Sequence, residues 1–121
     1  MQRIIVLDDN YEILEALSLV LKRKPMDVVI LSNPDDLEKY LLPDQQSLLL
    51  MDIFMGRYDG RKICRQLKDN PRFYQMPVIL FSAQAYTAES VAESGADAIL
   101  NKPFSIYTLF DVIDNTLSKA H

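Results

Sequence analysis

Five short apolar runs recur along this chain with helix-like stretches between them: RIIVL at 3–7, DVVIL at 27–31, SLLLM at 47–51, PVILF at 77–81 and the weaker ADAIL at 96–100. Each has the length of a strand, is mostly continuous rather than alternating, and is rich in Val, Ile and Leu. Such runs suit strands covered on both faces, which in turn need helices on both sides of the sheet. Alternating βα units joined by right-handed crossovers wind into a parallel sheet. The expected fold class is therefore α/β, a doubly wound five-stranded parallel sheet of order 2-1-3-4-5.

The intervening segments carry helical signals. Ile13, Leu14, Leu17, Val20 and Leu21 form one stripe entered through Asn10 as a cap and ending near Lys24, before Pro25. SNPDDLEKYLL opens a second helix, with Asn33 as cap, proline at the first helical position and two acids in the first turn. A third is expected from about Gly60 to Lys68, burying Ile63, Cys64 and Leu67 and breaking in the loop DNPRFYQMP. The fourth, within AYTAESVAESG, has few large apolar residues, ends at Gly95 and is expected to be the least firmly packed. The last shows a core-facing stripe of Ile106, Leu109, Phe110, Ile113 and Leu117. The arrangement is flavodoxin-like, and 121 residues without repeat or linker read as one domain, 1–121.

Composition narrows the function classes. The single cysteine, Cys64, rules out an internal disulfide and reads as a core residue, and the only histidine is His121, so no Cys/His metal spacing exists. No apolar run has the length of a signal peptide or a membrane span, and the reading is a cytoplasmic protein. A net charge of -4 argues against unaided binding to a nucleic-acid backbone.

In the order 2-1-3-4-5 strands one and three are neighbours and the winding reverses between them, which places a ligand crevice at their carboxyl ends. Asp8 and Asp9 end strand one, and Asp52 ends strand three. Carboxylates about 4 to 5 Å apart repel by roughly 3 to 4 kcal/mol per pair at an effective dielectric near 20. A hard divalent cation, magnesium, offsets that directly. Helix capping alone would account for Asp8 or Asp9 but not for Asp52, whose strand is otherwise apolar. Ser82 ends strand four and Lys102 follows strand five in the same crevice. A hydroxyl and an ammonium opposite a metal-bound carboxylate make a site for a phosphoryl group.

The pieces VLDDN, LLLMDIFM with DG after it, VILFSA and GADAILNKPF, in this order and spacing, resemble the receiver domain of bacterial two-component response regulators. The resemblance covers essentially the whole chain. It implies that Asp52 is the phosphoacceptor, that Ser82 is the switch hydroxyl, and that Lys102 pairs with the phosphate. It further implies that Asp8, Asp9, Asp52 and the main-chain carbonyl of Phe54 hold magnesium, and that the Lys102–Pro103 peptide is cis. The implied role is a signalling domain rather than an enzyme. A histidine kinase or phosphotransfer protein phosphorylates it, and the face around the fourth helix, strand five and the last helix signals to a protein target or a fused output domain. Phe54 and Gln84, two residues beyond Asp52 and Ser82, are expected to set phosphate lifetime.

Three positions depart from the family pattern. Ile99 stands where Tyr or Phe is frequent, Met55-Gly56 replaces the usual Met-Pro, and Ala98 replaces a frequent acid, so the paired charges of one dimerising subgroup are missing. Two other classes compete with this reading. An aspartyl-nucleophile phosphatase of the haloacid-dehalogenase type carries its acids as Asp-x-Asp after one strand, unlike Asp8-Asp9 with a separate Asp52. A receiver-shaped interaction module that makes no use of phosphate has no need of all five polar residues.

Overall fold

The computed structural model describes residues 2–41 and 46–120. Five parallel strands form one sheet: β1 (Arg3–Leu7), β2 (Asp27–Leu31), β3 (Ser47–Asp52), β4 (Val78–Ser82) and β5 (Ala98–Asn101). Their order is β2-β1-β3-β4-β5, as the alternation of strand and helix predicts. The helices are α1 (Tyr11–Leu21), α2 (Gly60–Lys68), α3 (Ala88–Ser94) and α4 (Ile106–Ala120), with a 3-10 helix over Pro34–Tyr40. A two-residue antiparallel ladder, Phe54–Met55 with Tyr58–Asp59, folds the segment after β3 back on itself. Among the described residues no helix is long and apolar enough to cross a membrane.

Strand parity divides the core into two layers. Ile5, Leu7, Leu49, Met51, Val78 and Leu80 pack on one face with Cys64 and Leu67 of α2 and Val91 of α3. Ile4, Val6, Leu48, Leu50, Ile79 and Phe81 pack on the other with Leu14, Leu17 and Leu21 of α1 and Leu109 and Ile113 of α4. Adjacent residues of one strand thus enter different layers, and a continuous apolar run satisfies both. Burial pushes the Cys64 thiol up, which keeps it a protonated core group.

The second helical segment differs from expectation. It is 3-10 rather than α, with Asp36 N–H bonded to the Asn33 carbonyl and Leu41 N–H to that of Glu38. The Asn33 cap is as predicted, accepting from Asp35 N–H at 2.9 Å, but Leu37 is the one fully buried side chain within the segment. Helices in proteins draw most of their stability from a packed face, and this one offers little. Leu42, the end of the predicted motif, lies outside the described residues. α1 closes at Leu21, ahead of Lys24, where turn bonds from Arg23 and Lys24 N–H take over. In α4 the predicted stripe is displaced at its start: Ile106 is 37% exposed, while Thr116 is buried. α3 buries only Val91 and Ser94 and terminates at Gly95 in the left-handed region, φ 79°, in line with its sparse apolar content.

The register sets the site. Leu7 pairs with Met51, Asp52 with Phe81, and Ser82 with Asn101. The residues at or just past these rungs, Asp8, Asp9, Asp52, Ser82 and Lys102, therefore share one edge of the sheet. α2 starts hard against that edge: Gly60 N–H donates to the Ile53 carbonyl at 2.7 Å, and the Asp59 carboxylate caps the helix through Arg61 N–H at 2.9 Å. A Cβ at position 60 would collide with the Asp52 carbonyl oxygen and lie 3.1 Å from the Ile53 Cα. Gly60→Ala is expected to lower the unfolding free energy by about 1–3 kcal/mol, the usual range for overpacking, as read from urea denaturation. A parental midpoint would show that α2 can retreat from β3 without loss.

Candidate functional site

Asp8 is held on three sides. Its N–H donates to the Leu31 carbonyl at 3.1 Å, one carboxylate oxygen accepts from Asn10 N–H at 2.9 Å, and the other meets the Lys102 ammonium at 3.1 Å. Asp9 is exposed at the mouth. Asp52 Oδ2 lies 3.3 Å from Lys102 Nζ, and its Oδ1 accepts from Phe54 N–H at 3.3 Å. One oxygen from each of Asp8, Asp9 and Asp52 falls within 4.8 Å of the other two. Three acids against one ammonium leave an excess of negative charge in a partly buried pocket. The donor set is all hard oxygen, the chemistry that suits a hard divalent cation.

Lys102 crosses β4 to reach the acids. Its ammonium sits 4.4 Å from the centre of the Phe81 ring, and its main-chain N–H donates to the Ser82 carbonyl at 2.8 Å. The Lys102–Pro103 peptide is cis, as the resemblance implied. Burial raises the Asp52 carboxyl from its ordinary value; Lys102 and the Phe54 amide oppose that shift, and the Asp8 charge adds to it.

The structure brings Asp8, Asp9, Asp52 and Lys102 together. Ser82 lines the same edge, but its hydroxyl donates to the Gln84 carbonyl at 2.9 Å and accepts from Gln84 N–H at 3.0 Å. Phe54 sits beside the acids with its ring half-buried under the Arg61 guanidinium, 5.2 Å from ring centre.

Several supporting residues, Gly56 apart, were not singled out from the sequence. Arg61 makes a two-point contact with Asp59, at 3.0 and 2.8 Å, and reaches Ser90 of α3 at 3.0 Å. The Arg61 hydrogen bond holds the Asp59 carboxyl below its ordinary value. Tyr58 donates to Asp35 at 2.8 Å, tying the ladder to the 3-10 helix. Gly56 turns with φ 59° beside Asp9, a conformation that favours glycine. The Asp59-Gly60 pair was a visible helix-start signal; the partners of Arg61 and Tyr58 had none.

With fold and site in view, comparison with known proteins is specific. The chain belongs to the response regulator receiver domain family, whose model matches residues 4–114. A transcriptional regulatory protein of Pseudomonas aeruginosa, GltR, is 34% identical over 119 residues, a match covering 97% of this chain and 49% of that protein. The chain thus spans about half the length of this relative. The signal receiver domain of a signal transduction histidine kinase from Syntrophus aciditrophicus superimposes with a TM-score of 0.83 at 26% identity, over 97% of this chain and 90% of that one. The beryllofluoride-activated NtrC4 receiver domain dimer gives 0.88 at 23% identity over 100% of both chains, a likeness of fold.

Removing one acid from a cluster with a single cation should relieve repulsion. Asp52→Asn, in chelator, is expected to raise the unfolding free energy by about 1–3 kcal/mol, less than the bare pair repulsion because the attraction to Lys102 is lost as well. A divalent cation should narrow the gap by stabilising the parent more. Urea denaturation with and without cation checks this, and a destabilised Asn variant in chelator would show that the Lys102 contact outweighs the repulsion.

Proposed function

We propose that this chain is, over 1–121, the phosphoaccepting module of a two-component phosphorelay, with Asp52 as the acceptor. The observation that carries the reading is the convergence of Asp8, Asp9 and Asp52 on one point with the Lys102 ammonium inside hydrogen-bond distance of Asp8 and Asp52. The donor is a phosphohistidine on a histidine kinase or phosphotransfer protein. An Asp52 carboxylate oxygen attacks the phosphorus, the P–N bond breaks, the imidazole leaves with a proton from solvent, and an acyl phosphate forms. Such a transfer needs positioning and charge neutralisation more than covalent help.

Magnesium is the cation that the donor set fits. Asp8, Asp9, Asp52 and the Phe54 carbonyl would hold it, and when bound it supplies charge neutralisation at the phosphoryl oxygens. Lys102 pairs with another phosphoryl oxygen, already poised by Phe81 beneath it. Ser82 is in reach of the same group once its hydroxyl leaves the Gln84 carbonyl. The product carries about two negative charges where one stood, and the response of Ser82 and Lys102 reshapes the face of α3, β5 and α4. That face addresses a protein target or an output domain fused beyond this segment, in the reducing cytoplasm where a lone cysteine such as Cys64 stays a thiol. The role is that of a signalling domain, not of an enzyme acting on a separate substrate.

A small phosphodonor such as acetyl phosphate, with magnesium, should add one phosphoryl group to the parent by intact-mass measurement. Asp52→Asn should add none, and the same labelling in that variant would assign the acceptor elsewhere. Phosphate lifetime supplies a further check. Phe54→Asn is expected to admit water in line with the phosphorus and shorten the lifetime, with magnesium affinity nearly unchanged because the metal meets only the main chain there. Identical decay of parent, Phe54→Asn and Gln84→Ala would place the clock away from these two side chains.

A further inference from the structure

The loop after Ser82 makes a contact that the transfer chemistry does not use. Tyr86 is half-buried against the cluster that contains Val91 and on which Ile99 also packs, and its hydroxyl donates to Oδ1 of Asn101. Asn101 is the last residue of β5, pairs with Ser82 in the ladder and immediately precedes Lys102. Side chains two apart on a strand share a face, so Ile99 and Asn101 lie on the same side of β5. The tyrosine, coming from the loop, lies along that side. An aliphatic residue at 99 leaves this face of the strand to a ring from elsewhere in the chain.

The loop is consequently tied at two points. At its start, the Ser82 hydroxyl spends its single proton on the Gln84 carbonyl. Two residues further on, Tyr86 is fastened to Asn101, next to the lysine. For Ser82 to donate to a phosphoryl oxygen it must release Gln84. Only three residues, Ala83, Gln84 and Ala85, separate the two ties, so a shift of the loop at Gln84 has a short span over which to reach the tyrosine.

We propose that Tyr86 is a positioning residue that latches the loop after β4 to the end of β5 in the unphosphorylated protein, and that its bond to Asn101 opens when Ser82 turns to the phosphoryl group. The inference rests on Asp52 as acceptor. The latch favours the unphosphorylated form, so it weakens the hold on any group that draws Ser82 inward, and removing it strengthens that hold by the same factor. It also gives the domain an aromatic reporter on the face of β5 that Ile99 leaves without one.

Beryllofluoride, a phosphoryl mimic that leaves the carboxylate unreacted, provides the test. Its affinity in the presence of magnesium would be measured by fluorine NMR for the parent, Tyr86→Phe, Asn101→Ala and the double variant. Tyr86→Phe keeps the ring and its packing and loses only the hydroxyl. It is expected to bind about three- to fivefold more tightly, the factor set by one partly exposed hydrogen bond. Asn101→Ala should match it, the double variant should gain nothing further, and magnesium affinity alone should be parental throughout. A Tyr86→Phe affinity equal to the parent's, or gains that add in the double variant, would overturn the latch while leaving the proposed function standing. A parent that takes no beryllofluoride would refute the proposed function and the latch together.

Discussion

Lys102 stands 3.1 Å from Asp8 and 3.3 Å from Asp52, and the site depends on that one ammonium. The register of a parallel sheet delivers the ends of β1 and β3 to the same place whatever side chains they carry. When those side chains are acids, the sheet brings like charges together in a pocket with little water to screen them. The lysine comes from the far edge. It leaves β5, crosses β4 above the Phe81 ring, and ends between the carboxylates. Its stem is buried on the way, so the charge is fixed in position rather than free to sample solvent. The same residue binds the Ser82 carbonyl through its main chain, so the ends of β1, β3, β4 and β5 meet in it.

The remainder of the fold keeps this edge in register. Two apolar layers grip alternate residues of each strand, and a one-residue slip of β3 would exchange every side chain between them. The helices are not equally anchored in these layers. α1 and α4 contribute Leu14, Leu17, Leu21, Leu109 and Ile113 to one. On the other side α3 adds Val91 and little else, and its remaining ties to α2 are polar: Arg61 to Ser90, and Arg65 to the Glu93 carbonyl at 3.1 Å. Of the α-helices, the one beside the Ser82 loop is thus the most loosely attached by hydrocarbon.

The central strands were legible because a strand buried on both faces has little room for polar side chains, so composition and position coincide in RIIVL or PVILF; the outer strands, β2 and β5, are only partly buried, against the expectation of cover on both faces. The acids were legible for the opposite reason: Asp8 and Asp52 interrupt runs in which any charge is costly. Where packing rather than pattern decides, the sequence was a weaker guide. The segment at 34–40 carries helix-start signals as good as any, yet buries too little to become an α-helix. Ile106 fits the stripe of α4 by spacing but sits where the helix has only begun to meet the sheet, and Thr116 takes a buried place near its other end. Side-chain partners were least visible. Ser82 could be placed at the edge, but whether its proton faces Asp52 or Gln84 is a rotamer choice made by the loop. The bond from Tyr86 to Asn101 had no signal in the sequence at all.

The sparse hydrocarbon of α3 has a calorimetric consequence. The heat-capacity change of a rearrangement follows the apolar surface it uncovers, and polar exposure acts with opposite sign. A helix attached by one valine, a guanidinium–hydroxyl bond and a guanidinium–carbonyl bond can leave its seat while the two contributions largely cancel. Its equilibrium between positions would then shift only gently with temperature, set by directional bonds rather than by the expulsion of water. If the proposed signal runs through this face, its set point would hold across a range of temperatures that would bias a face built on buried apolar surface.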